Sequence, residues 1–185
     1  MSVILKIVKS SYKTALRKFP IATQAVQASL LMGAGDVIAQ HAVEKVPLNS
    51  LNLRRTAEFS ALGLFLVGPT LRFWYGRLDR LVSPKQVAWK VAAKKASLDQ
   101  FIFAPAFIVL FTSSISFMQG MNTESVIGRL KSDYTTILKT NYLIWPAAQL
   151  VNFAIVPLNY QVLFVQMVAV IWNTYLSLKL GNVEE

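Results

Sequence analysis

From Thr140 to Leu178 the chain runs for 39 residues without a charged side chain. Wholly helical, such a run would be about 58 Å long at about 1.5 Å per residue, nearly twice the roughly 30 Å hydrocarbon core of a bilayer. One straight span is therefore excluded. Pro157 has no N–H to donate and disfavours the helical region for Val156, so the break is expected there. The piece before it is expected to be short, partly interfacial or buried against other helices, with a crossing helix from about Tyr160 to Leu178. Gln149, Asn152 and Asn159 stand inside this run, amides among oily neighbours.

Three earlier segments, residues 21–40, about 57–76 and 98–118, each have the length of one crossing. Charged residues make up 15% of the chain and the mean hydropathy is +0.45, against roughly 25% charged in an average soluble domain. Lipid is the solvent these totals fit. Residues 1–19 differ. Val3, Ile4, Ile7, Val8, Ser11, Tyr12, Ala15, Leu16 and Phe19 recur at helical spacing, with Lys6, Lys9, Lys13 and Arg17 on the opposite arc. This is a basic amphipathic helix without an acid, suited both to lie on an anionic bilayer surface and to serve as a mitochondrial targeting helix. The expected fold is all-α: a multispanning helical membrane bundle of about four transmembrane helices forming one domain over 20–185, preceded by the helix 1–19. With four crossings, thirteen of the 19 basic residues share a side and six lie opposite, as the positive-inside rule requires. A fifth crossing, made by splitting the long run at Pro157, moves only Lys179.

The polar residues inside the apolar segments fall into stripes. On a helix Trp145, Gln149 and Asn152 lie within about 60° of one another. Asp36 and Gln40 lie one turn apart on a face that also holds Gly33, and Asp99 and Gln100 open the third span one turn after Lys95. A mid-membrane carboxylate costs about 2.5–3.5 kcal/mol on insertion scales, so these acids are expected to face other helices, a pore or water. Asp36 has no basic residue three or four positions away. Its expected partner is Arg72, Arg77 or Lys95, or else it stays neutral and bonds a backbone carbonyl. Asp99 is expected to pair with Lys95.

Two roles suit the stripes. As glue, amides tie helices together at about 0.6 kcal/mol per bond, and small residues such as Ala25, Ser29 and Gly33 let backbones approach. As a lining, Asp36, Gln40, Asp99, Gln100, Gln149, Asn152 and Asn159 form a wet path for small solutes. The stretch GPTLRFWYGRLDR reads as a span leaving the membrane, with Trp74 and Tyr75 at the headgroups and Arg72, Arg77 and Arg80 beyond.

Other classes find little support. Cysteine is absent and His41 is the single histidine, which leaves no thiolate nucleophile, no cysteine metal site and no triad spacing. No phosphate loop or HExxH motif occurs, so neither enzyme activity nor a cofactor or metal is expected. The net charge of +10 lies in clusters flanking apolar runs rather than in a nucleic-acid-binding motif, and direct nucleic-acid binding is not expected. The expected partners are the bilayer and small solutes. A four-helix monomer leaves little interior room, so a pore of useful width is expected to need several protomers.

Pro20, LMGAGDVIAQ (Leu31 to Gln40), Arg54 with Arg55, Gly68 with Pro69, WYGRLDR (Trp74 to Arg80), LDQFIFAP (Leu98 to Pro105) and the block TNYLIWPAAQLVNFAIVPLNY followed by VAVIWNTYLSLK together cover most of the chain in order. With these motifs the chain resembles the Mpv-seventeen family, which includes the twenty-two-kilodalton peroxisomal membrane protein. The wording of the C-terminal block is most similar to the mitochondrial branch. The resemblance implies a multispanning protein of the mitochondrial inner membrane, with the peroxisomal membrane as the alternative. It implies a non-selective channel or a modulator of organelle permeability, contributing to mitochondrial homeostasis and mitochondrial DNA maintenance. A scaffold or assembly factor that passes nothing is the competing reading. One position departs from the family pattern: a basic residue commonly follows the VPL-x-x pair, where this chain has Gln161.

Overall fold

The computed structural model describes residues 3–82 and 87–180, with the side chains of residues 3–9, 13 and 159 outside the description. All described secondary structure is helical. After α1 (Val3–Lys18), α2 (Pro20–Ile38) ends in a π-turn, Ala39–Val43. A short 3-10 turn, Leu48–Ser50, leads to α3 (Leu53–Leu62), which continues through a second π-turn, Gly63–Val67, into α4 (Gly68–Leu81). Likewise α5 (Ala88–Leu98) continues through a third, Asp99–Phe103, into α6 (Ala104–Met118); α7 (Thr123–Ile155) and α8 (Leu158–Leu180) follow. The described residues thus form five long rods, α2, α3–α4, α5–α6, α7 and α8, preceded by α1. Lys6, Lys9 and Lys13 of the expected basic arc on α1 have side chains outside the described set, as does Asn159.

Local chemistry sets these boundaries. Asn52 caps α3 by accepting from the Arg55 backbone N–H at 3.0 Å, and Asn122 caps α7 by accepting from Ser125 at 2.9 Å. Gly120, at φ +84°, turns the chain between α6 and α7 where a side chain would be strained. Pro69 and Pro105 each lie in the first turn after a π-turn. A proline inside a rod removes one hydrogen bond and crowds the carbonyl four residues back, and a widened turn relieves both.

The rods alternate in direction. α2 runs against the second rod so closely that backbones touch: a Cβ on Gly63 would lie 2.7 Å from Ala28, and one on Gly68 2.5 Å from the Ala25 Cα. The ridge of Ala25, Ser29 and Gly33 therefore meets Gly68, Gly63 and Ser60 in order. α8 runs parallel to α2, with the Gln166 amide donating to the Gln24 carbonyl and the Thr174 hydroxyl to that of Gly35. α7 runs against the third rod through Asn141 with Gln100 and Arg129 with Ser116. It also runs against α8 through Trp145 with Trp172 and Asp133 with Lys179. The core between them holds Met32, Phe59, Tyr75, Leu78, Phe111, Ile115 and Ile137.

The outer surface carries large apolar side chains, among them Leu143, Phe65 and Ile155, each more than three-quarters exposed. Two rods, Ala88–Met118 and Tyr160–Leu180, are long and apolar enough to cross a membrane by length and composition. The expected break at Pro157 is present: Val156 is extended, at φ −85° and ψ 123°. The piece before it is not short. It is the back half of the 33-residue α7, the longest helix described. Lys131, Asp133 and Lys139 face outward or toward α8 without interrupting the helix, so its start is set by the Asn122 cap rather than by the last charge.

Two buried polar clusters and a central cavity

The first cluster ties three rods together at the end where α2 finishes and α3 begins. Arg55, 3% exposed, donates from Nε to Asp36 at 2.6 Å, from Nη2 to Glu44 at 2.7 Å and to the Ser177 hydroxyl at 2.9 Å. Its Nη1 reaches the other Glu44 oxygen at 3.2 Å, completing a two-pronged grip on that carboxylate. Asp36, fully buried, also accepts from Gln40 at 2.7 Å and from the hydroxyls of Thr56 and Ser177. Gln40 is held in turn by the backbone of Asn52, whose N–H donates to Oε1 at 2.7 Å. The residue that caps α3 thus also fixes the amide beside Asp36.

The second cluster lies near the opposite end and contains no cation among the described residues. Asp99 accepts from Trp74 Nε1 at 2.8 Å, Gln100 Nε2 at 2.7 Å and Gln149 Nε2 at 2.9 Å. Gln149 also donates to the Tyr75 hydroxyl at 2.8 Å and accepts from Asn152 at 3.0 Å. Gln100 accepts from Asn141 at 3.0 Å. Two amide relays, Asn141 to Gln100 and Asn152 to Gln149, thus converge on one buried carboxylate. The π-turn beginning at Asp99 brings two successive side chains, 3% and 4% exposed, to the same interior.

Between the clusters lies a cavity of about 90 Å³ to which all five rods contribute. That volume takes several waters, given that one water needs roughly 10–15 Å³ by this measure. Asp99, Gln100, Asn141 and Gln149 line one part, and Gln166 and Asn173 of α8 another. Trp145 Nε1 and Gln166 Oε1, both on its wall, have no hydrogen-bond partner among the described residues. Asn173 is one helical turn from Ser177, so the Arg55 cluster lies one turn of α8 beyond the cavity.

Several sequence expectations change at this point. The partner of Asp36 is Arg55, not Arg72, Arg77 or Lys95. Lys95 does not pair with Asp99; it turns to Asp79 of α4 at 2.8 Å, while Asp99 takes its donors from Trp74, Gln100 and Gln149. Trp74 and Tyr75 do not both sit at headgroups: Trp74 points its N–H at Asp99 and stacks on Phe103 at 4.9 Å, and Tyr75 is 1% exposed. Arg77 and Arg80 are exposed and Arg72 half-buried. Asp36 and Gln40 come together, as do Asp99, Gln100, Gln149 and Asn152, but the two sets form separate clusters rather than one lining. Gln161 donates to the Val156 carbonyl at 3.1 Å, satisfying the backbone at the proline break. Arg55, Glu44 and Ser177 join the first cluster without being among the candidates that spacing gives; the tandem Arg54–Arg55 at the start of α3 is the signal the sequence carries for it.

A family model described as Mpv17 / PMP22 matches residues 116–177, a stretch containing Asn141, Gln149, Asn152 and Ser177. The chain is 40% identical over 169 residues to the mitochondrial inner membrane protein Mpv17 of Danio rerio, covering 91% of this chain and 94% of that protein. It is 42% identical over 170 residues to the protein of that name in Homo sapiens, covering 91% and 95%. It is 37% identical over 168 residues to protein sym-1 of Neurospora crassa, covering 91% and 96%. No solved structure matches.

Proposed function

The chain belongs to the Mpv17 / PMP22 family, and on that premise we propose that this mitochondrial inner-membrane protein passes small polar solutes, or regulates their passage, through a bundle interior that stands closed here. The alternating rods are read as five crossings, the run from Thr140 to Leu178 supplying parts of two. Five crossings put twelve of the 19 basic residues on the side of the N-terminal helix and seven opposite, which keeps the positive bias.

One observation carries the reading. Asp99 is buried with neutral donors alone, on a cavity wall that also presents unpartnered polar atoms of Trp145 and Gln166. An ionisable group inside a membrane bundle marks a pathway or relay by default, because a purely structural bundle gains little from it. The Asp36–Arg55–Glu44 cluster closes the far end, and its opening joins the cavity to that surface. The contribution to mitochondrial homeostasis and mitochondrial DNA maintenance is then exerted through the solutes that pass.

Purified protein reconstituted into liposomes tests this by efflux of small neutral and charged solutes. Wild type is expected to release them slowly and Arg55→Gln several-fold faster. Folded protein of both forms releasing nothing above protein-free liposomes rejects conduction. A non-conducting scaffold is the second reading, favoured by the way Arg55 ties α2, the second rod and α8 together. On that reading Gln149→Leu and Asn152→Leu lower thermal stability or complex size and leave permeability unchanged.

A further inference from the structure

A second concavity lies outside the bundle core, between α1, Arg72 of α4 and Tyr160 at the start of α8. It is a groove of about 470 Å³ lined by Arg17, Arg72, the hydroxyl-bearing Ser10 and Thr14, and Tyr160. No carboxylate among the described residues lines it, and the chain contains no acidic residue before Asp36. Neither arginine forms an ion pair among the described residues. Phe19 and Ile21 beside Pro20, and Phe73 beside Arg72, are 66%, 57% and 62% exposed. Two arginines from different elements and two hydroxyl-bearing side chains lining one groove, with exposed apolar residues next to its lining residues in the chain, match a phosphodiester attached to acyl chains.

We infer that this groove binds the headgroup phosphate of an anionic phospholipid, clamping α1 against α4 and α8. Guanidinium groups bind phosphate by paired N–H donors, and basic pockets at helix ends attract anionic headgroups through charge as well as geometry. A free phosphate would meet the same arginines, but it would leave Phe19, Ile21 and Phe73 facing water. The inference rests on the membrane placement proposed above and is independent of conduction.

The detergent-solubilised full chain can be titrated with phosphatidylglycerol or phosphatidylcholine and retained lipids counted by native mass spectrometry. Phosphatidylglycerol is expected to stay bound and phosphatidylcholine to leave. At the attraction typical of a surface basic residue, loss of one arginine weakens retention roughly fivefold, and Arg17→Gln with Arg72→Gln together about thirtyfold. Lys131→Gln, which removes one charge at the opposite end, leaves retention unchanged. Arg72→Lys keeps the charge but loses the paired donors, so it gives an intermediate loss and guards against misfolding of the double variant. Equal retention of the two lipids, or of wild type and the double variant, overturns the site. Displacement of the lipid by millimolar inorganic phosphate overturns the lipid as its ligand. Failure of wild type to enter neutral phosphatidylcholine vesicles strikes the membrane placement itself.

Discussion

The two buried carboxylates of this bundle are solved in opposite ways. Asp36 meets a guanidinium that a second acid, Glu44, also holds, and the hydroxyls of Thr56 and Ser177 and the Gln40 amide complete its contacts. Asp99 meets an indole and two amides. The first arrangement is rigid and self-contained, since removing any charged member strands another. The second spreads one charge over neutral dipoles beside a cavity, and each member can be replaced with less damage. The contrast separates an ion-paired network that locks three rods together from a carboxylate held by neutral donors alone.

Arg55→Gln tests the contrast hardest. Breaking a buried pair by removing one partner costs about 3–5 kcal/mol, so the variant should show the largest drop in melting temperature in detergent, with Asp36→Asn added to Arg55→Gln restoring part of it. Gln149→Leu comes next. It strips Asp99 and Tyr75 of a donor and leaves Asn152 without an acceptor, an expected loss of about 1–3 kcal/mol. Equal losses for these two variants would erase the distinction between the clusters. Trp74→Phe removes one of three donors to Asp99 while retaining an aromatic ring against Phe103, and about 1 kcal/mol is expected by the same thermal measurement. Arg54→Ala is the smallest. Arg54 neighbours Arg55 but forms an exposed pair with Glu58, worth about 0.3–0.5 kcal/mol. A large effect there would mean that the helix start, rather than the buried network, governs stability.

Much of this arrangement is legible in one-dimensional spacing. Asp36 with Gln40, and Trp145 with Gln149 and Asn152, are residues of one helix, and their shared face follows from a period of 3.6. The failures have two physical origins. Arg55 reaches Asp36 across 19 positions of chain, which no periodicity encodes. Aromatic residues beside arginines mark interfaces in general, which is what points Trp74 and Tyr75 toward headgroups. Yet within α4 alone Leu71, Tyr75 and Leu78 share the buried face, and that local spacing predicts an inward Tyr75. Reading the face across the whole span obscures it, since the π-turn Gly63–Val67 inserts a residue and resets the register. Lys95 leaves Asp99 for Asp79, 16 positions back in the chain, another contact that helical spacing does not encode.

Three rods of this molecule carry such an inserted residue, and one of these turns bears Asp99. An extra residue in a helix is a mobile defect: it can pass to the neighbouring turn without lengthening the chain. Passing it by one position rotates every side chain it crosses by about 100° about the rod axis. A swivel of that size would carry Asp99 away from Trp74 and Gln149 while the rods themselves stayed in place.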